Sequence, residues 1–197
     1  KPHFLYNTLN TASILVAIEQ KEAANELIKT LAKYYRACLS RGDDTITIEE
    51  ELQIVKEYIK IAIIRNPNIV DIIYDIDEAV LKLKIPKITL QLLVENSIKY
   101  GIKELGKPVC IKVTIKLDAK GKHINIVVED NGVGMQPEII NKVMSGEKLN
   151  TKSGFGLRAV ITRILLNYDL KDAKDIIKID SRCGEYTRIT LKIPCNE

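Results

Sequence analysis

From Pro2 to about Arg65 the apolar residues recur at helical spacing, as Leu5, Leu9 and Ala12, then Leu27, Leu31, Tyr34, Tyr35 and Cys38, without strand-like alternation. "SRGDDT" interrupts the pattern, with Gly42 suited to a helix C-terminus. In "TIEEEL" Thr47 and Glu50 have capping-box spacing, and Leu52, Val55, Tyr58, Ile59 and Ala62 follow as an apolar stripe. The pattern predicts two antiparallel helices joined by a short loop. After "RNPN" the periodicity changes. "IVDIIYDID" is strand-like, and "IPKITLQLLVENSIKYG" reads as a helix opened near Pro86 and closed by Gly101. "CIKVTIKL" and "HINIVVED" alternate with period two around a hairpin turn at Gly121. "GLRAVITRILLNY" is helical, and "IIKIDS" and "TRITLKIP" are two last strands around "RCGEY". This order predicts an α+β chain with its helices on one face of a mixed sheet. There is no internal repeat or low-complexity tract.

The 197 residues, 46% of them hydrophobic, suffice for a substantial core in one domain or two. The formal net charge of +4 is mild, and lysines alternate with acids, so no basic stripe calls for nucleic acid, while the balance suits an anionic ligand. Cys38, Cys110, Cys183 and Cys195 stand far apart, without a C-x-x-C pair or clustered histidines, which argues against a zinc site or disulfide framework. The expectation is four buried or half-buried thiols in a reducing cytosol. Runs such as "IKIAII" are far short of a membrane span and no leader is visible, so the chain is expected to be soluble. Its start at "KPHF" reads as that of a fragment of something longer.

The polar exceptions carry the chemistry. On the predicted helix, Asn96 and Lys99 lie three apart and Asn96 and Tyr100 four apart, so they share a face while Leu92, Leu93 and Ile98 turn toward the sheet. An amide oxygen is a good Mg²⁺ ligand, a lysine is a point charge for phosphate, and the neighbouring Glu95 carboxylate can accept a proton. Taken alone, this helix reads equally well as one with a solvated outer side. In "EDNGVGM", Asp130 ends a strand where it can accept a hydrogen bond from a base's exocyclic amine, and Gly132 and Gly134 let the backbone approach a ligand. A lone D-x-G-x-G is also a common turn. In "SGFGL", Gly154 and Gly156 open a helix whose free N–H groups and dipole can receive phosphate. The intervening "QPEIINKVMSGEKLNTK" is long enough for a mobile lid. In this order the weak signals together read as an ATP site.

"VENSIKYG", "DNGVGM" and "GFGL" resemble the N, G1 and G2 boxes of the Bergerat-fold ATPases shared by histidine kinases, Hsp90, gyrase B and MutL. "KPHFLYNTLN", "YYRACLS", "EELQIVKEYIKI" and "IPKITLQLLVENSIKYG" resemble the LytS-type sensor histidine kinases, whose phospho-accepting segment reads P-H-F-L-[FY]-N-x-L-N. The resemblance covers essentially the whole chain. It implies an N-terminal helical hairpin for dimerisation and phospho-acceptance over residues 1–66, then a two-layer α/β Bergerat sandwich with a mixed sheet over 67–197. It also implies roles: His3 as phospho-acceptor, Asn96 as Mg²⁺ ligand, Glu95 as base or polarising group, and Lys99 as a phosphate contact. Asp130 would read adenine, Gly132 and Gly134 would line the base pocket, and Gly154 and Gly156 would close over the phosphates. If His3 begins a helix, Asn7 lies one turn along on the same face, where it can orient the ring or a hydrolytic water.

The implied reaction is ATP plus His3 giving ADP and phospho-His3, followed by transfer to an aspartate of a response regulator. The implied partners are that regulator and a second copy paired through the N-terminal helices, with no nucleic acid. The resemblance places the chain as the cytosolic portion of a protein anchored in the membrane through an absent upstream sensor region. A nucleotide-binding switch without phosphotransfer and a Bergerat-type ATP hydrolase using Glu95 are the alternatives. Three departures stand out. Phe4 follows His3 where many histidine kinases carry an acid, the first box ends Tyr100–Gly101 rather than His-Gly, and "GEYTRITLKIP" replaces a Gly-Thr pair, with Thr187 as the matching threonine. His123 has no acid nearby in sequence and reads as structural. Arg65 and Arg163 fall where this type tends to carry arginine, to reach phosphate or to pair with a surface acid.

Overall fold

The computed structural model describes residues 2–39, 44–67, 69–101, 108–147 and 155–195. Among the described residues the helical region forms three helices rather than two: α1 (Pro2–Ala17), α2 (Lys21–Leu39) and α3 (Ile48–Arg65). The first arm of the expected hairpin is broken at Glu19, whose φ of 63° turns the chain before α2. No glycine or proline marks that turn, so the periodicity runs through it unbroken. Leu27, Leu31 and Tyr34 of α2 and Leu52, Val55, Tyr58 and Ile59 of α3 are buried in one core where these helices pack. The Thr47 capping box is present: Thr47 Oγ1 accepts from the Glu50 amide at 3.2 Å, and the Glu50 carboxylate accepts from the Thr47 amide at 2.9 Å. Gly42 lies outside the described residues.

Among the described residues seven strands follow the chain order: β1 (Thr45–Thr47), β2 (Val70–Ile76), β3 (Lys84–Pro86), β4 (Val109–Leu117), β5 (His123–Asp130), β6 (Ile177–Arg182) and β7 (Tyr186–Pro194). The five longer ones form a sheet in the order β2-β4-β5-β7-β6, with β2 parallel to β4 and the other pairs antiparallel, the mixed sheet expected. β1 and β3 pair separately, Ile46 opposite Ile85. At three residues each they are too short for alternation to show. Because Pro86 ends β3, helix α4 (Thr89–Gly101) starts later than its proline suggests.

One face of the sheet is covered. Ile111, Val113 and Ile115 of β4, Ile124, Ile126 and Val128 of β5, and Ile189, Leu191 and Ile193 of β7 are buried. Helix α4 packs on β4 and β5, and α6 (Phe155–Asn167) packs on α4. Each fully buried Leu or Ile stabilises by about 1.5–3 kcal/mol. Lys112, Arg188 and Lys192 are exposed on the alternate positions, where Arg188 pairs with Glu129, and Lys116 with Asp75 at 3.0 Å. A sheet dry on one side and wet on the other is the α+β sandwich that the alternation predicts. Within the expected lid, α5 (Pro137–Ser145) is helical, and residues 148–154 lie outside the described residues.

Two further expectations change. His123 does have an acid partner: its Nδ1 lies 2.8 Å from the Asp118 carboxylate across the β4–β5 turn. That hydrogen bond pulls the Asp118 carboxyl down to about 2, and the Lys122 amide donates to the same side chain at 2.8 Å. The pair closes the turn at Gly121, so the role is structural, as expected, through a partner that was missed. Of the thiols, Cys38 and Cys195 are half-buried, but Cys110 and Cys183 are exposed, because both stand where the chain faces away from the core.

Candidate nucleotide site

A cleft of about 450 Å³ opens where α4, the end of β5, α5, the start of α6 and the β6–β7 hairpin meet. Asp130 is the last inward position in the row Ile124, Ile126, Val128, and so places a buried carboxylate at the end of an apolar surface. Its Oδ2 accepts from Ser97 Oγ at 2.7 Å, and its Oδ1 from the Gly132 amide at 3.0 Å. Thr187 stands opposite Asp130 in the β5–β7 ladder and lines the cleft. Val133, Met135, Ile139, Leu157 and Ile189 supply apolar walls, with Cys183 at the hairpin. A slot with one buried acid among apolar walls suits a flat aromatic base bearing an amine.

The glycines are required by close approach. A Cβ on Gly132 would lie 2.4 Å from the Gly101 Cα, so the turn after β5 rests on the end of α4. Gly134 has a φ of 72°, and a Cβ there would lie 2.2 Å from the Arg182 carbonyl oxygen. The loop is pinned further by the Met135 amide, which donates to Ser181 Oγ at 2.8 Å. At Gly156 a Cβ would come within 3.1 Å of both terminal atoms of the Asn96 side chain. The start of α6 is thereby held against the amide of α4, while Gly154 lies outside the described residues.

The other expected residues separate. Asn96 and Tyr100 line the cleft. Lys99 is exposed beside them, its Nζ 4.8 Å from the Tyr100 ring centroid, a cation–π contact. Glu95 is not among the cleft-lining residues. Its charge acts instead on Tyr34 and Tyr58, whose hydroxyls are held protonated far above their usual range, chiefly by burial, with Cys38 next at Tyr34 and the Glu95 charge adding at both. His3 is exposed on α1, outside the cleft lining, with Asn7 Nδ2 3.2 Å from its Nε2 and 3.3 Å from its Nδ1. Phe4 anchors that end of α1, stacked on Tyr58 with centroids 5.3 Å apart and tilted against Tyr34 at 5.4 Å. Arg65 lies over the Phe4 ring and Arg163 donates to the Lys87 carbonyl; neither lines the cleft.

Ser97 is the residue that sequence reasoning missed. Its only signal is a small hydroxyl in an apolar stretch of helix, and its partner Asp130 lies 33 residues away.

Residues 86–197 match the family described as histidine kinase-, DNA gyrase B-, and HSP90-like ATPase, and the chain belongs to that family. Residues 1–70 match the histidine kinase family, and the two matches in tandem make this a histidine-kinase transmitter region of the LytS type. It is 34% identical to the sensor histidine kinase YesM of Bacillus subtilis over 98% of this chain and 32% of that protein. It is 36% identical to the sensor protein LytS of Staphylococcus epidermidis over 72% of this chain and 24% of that protein. The chain thus spans about a third or less of the length of these curated relatives. The catalytic domain of histidine kinase ThkA shares the fold, with a TM-score of 0.53 at 18% identity over 77% of this chain and 94% of that one.

Proposed function

We propose that the cleft binds ATP with Mg²⁺, and that the chain transfers the γ-phosphoryl group to His3 and then to an aspartate of a response regulator. The observation that carries this is the Asp130 carboxylate, fixed by Ser97 and the Gly132 amide at the end of an apolar slot whose far side is Asn96 against Gly156. Asp130 accepts the hydrogen bond of the adenine amine, and the walls take the ring. Among the described residues no three His, Cys, Asp or Glu side chains group to hold a metal. A single amide ligand, Asn96, with substrate phosphates completing the shell, is the donor set that Mg²⁺ uses and zinc does not. When bound, the ion neutralises phosphate charge during transfer. Lys99 adds a positive charge near the same place, and Gly156, without a side chain, leaves the first turn of α6 open to phosphate.

A ring nitrogen of neutral His3 forms the P–N bond as the bond from γ-phosphorus to the bridging oxygen breaks, the electron pair leaving with ADP. The proton on the other ring nitrogen passes to water, to which the exposed His3 has direct access. Asn7 sets the ring's orientation. Glu95 serves as a polarising group at the junction with the helical segment, consistent with its place beside Tyr34 and Tyr58.

We assign residues 1–66 to the phospho-acceptor and dimerisation segment and 67–197 to the ATP-binding domain. Tyr6, Leu9, Ile14 and Val16 leave apolar surface exposed on α1, which supports burial against a second copy in a helical bundle. No helix among the described residues is long and apolar enough to cross a membrane. The test is incubation with Mg²⁺ and γ-labelled ATP. An acid-labile, alkali-stable label that disappears in His3→Gln, with ATP binding retained, is the expected result; label persisting in that variant places the acceptor elsewhere. Steady phosphate release surviving the loss of His3 would favour a hydrolase instead.

A further inference from the structure

Helix α4 begins without a cap of its own. The residue before Thr89 is Ile88, whose side chain has no acceptor and whose φ of 66° is a left-handed backbone rarely taken by a β-branched residue. The first N–H groups of a helix nevertheless need acceptors. They find them far back in the chain. Glu51, on α3 and fully buried, accepts from the Ile88 amide at 2.9 Å through Oε2 and from the Gln91 amide at 3.2 Å through Oε1. The Leu90 amide donates to the same carboxyl. A second buried bond ties this turn to α2, where Gln91 Nε2 donates to the Tyr34 hydroxyl.

A buried carboxyl is costly, and here that cost is offset by the amides it satisfies, which an apolar residue would leave without an acceptor. What Glu51 supplies is position. It holds a strained entry turn in one place, and a helix is stiff, so whatever fixes Gln91 also fixes Asn96 and Ser97 further along, which line the cleft. The groups around the carboxyl come from three elements: Arg163 of α6, whose charge acts on it and whose guanidinium donates to the Lys87 carbonyl, the Cys38 thiol of α2, and the amides of α4.

We propose that Glu51 is a positioning residue for the ATP site: carried by the helical segment, it caps the nucleotide helix across the junction and sets Asn96 and Ser97 against the cleft. The proposal rests on the reading of the cleft as an ATP site. Nucleotide affinity then depends on how α3 is seated, and the segment bearing His3 shares one polar joint with the cleft.

The experiment compares the whole chain with Glu51→Gln and Glu51→Ala. Mg²⁺–ATP affinity is measured by calorimetry well below each variant's thermal midpoint, and amide exchange is followed at Ile88, Leu90 and Gln91. Glu51→Ala is expected to speed that exchange and to weaken ATP binding roughly tenfold, the order of a buried hydrogen-bond acceptor removed. Glu51→Gln keeps one acceptor oxygen, should fall between, and keeps the test alive if the alanine variant fails to fold. Variants that are folded and less heat-stable, yet bind ATP as tightly as the parent, overturn the proposal, since Glu51 would then serve the fold alone. A parent chain that binds no Mg²⁺–ATP overturns instead the reading of the cleft, and shows it before any variant is made.

Discussion

Asp130 uses both carboxylate oxygens before any ligand arrives, one on Ser97 and one on the Gly132 amide. A carboxylate has several lone pairs, so the same group that fixes the turn can also accept from a base's amine. Asp130→Ala removes that acceptor and should weaken ATP binding by about 1.5–3 kcal/mol, which calorimetry would read directly; unchanged affinity would remove Asp130 from the base pocket. Asn96→Ala should abolish Mg²⁺-dependent labelling while leaving the adenine contacts, and normal labelling would count against it as the metal ligand. Gly134 is constrained twice, by its φ of 72° and by the Arg182 carbonyl oxygen 2.2 Å from where a Cβ would sit. Gly134→Ala should therefore cost more than about 1 kcal/mol, measurable as a lowered urea midpoint.

Among the elements, those with a long period were legible in the sequence. β4, β5 and β7 alternate over eight or nine residues, and every predicted strand is present. The Thr47 cap was legible too, because its two partners lie three residues apart. Thr47→Ala should cost about 1 kcal/mol, visible by chemical unfolding. What stayed hidden was non-local. β1 and β3 pair across 39 positions with three residues each, Ser97 meets Asp130 only in the folded chain, and the cap of α4 comes from another helix. The break between α1 and α2 was hidden for a different reason: Glu19 adopts a glycine-like φ without being glycine. The candidate site was legible in its residue types, while the absence of Glu95 from the cleft lining depends on how α4 docks, which local spacing does not encode.

For the molecule as a whole, the buried Glu51 joins stability to pH. Burial pushes its carboxyl from 4.5 up to about 7, with the amides of Gln91, Ile88 and Leu90 and then the Arg163 charge pulling the other way. The folded state therefore holds this proton more tightly than the unfolded chain does. That contribution is full below pH 4.5 and is lost as the pH rises toward about 7, amounting to about 3 kcal/mol at most. In urea unfolding, Glu51→Gln should gain on the parent between pH 5 and pH 8; a constant gap would mean that the carboxyl titrates normally. A variant that gains stability while losing ATP affinity would show fold and positioning set against each other at one residue. The exposed thiols give a further handle. Cys183 lies in the cleft lining, its Sγ 3.4 Å from the Met135 carbonyl oxygen, whereas Cys110, equally exposed, lies outside that lining. The chain thus carries its own occupancy gauge: an alkylating reagent should label Cys183 more slowly once nucleotide fills the slot, with Cys110 as the built-in clock.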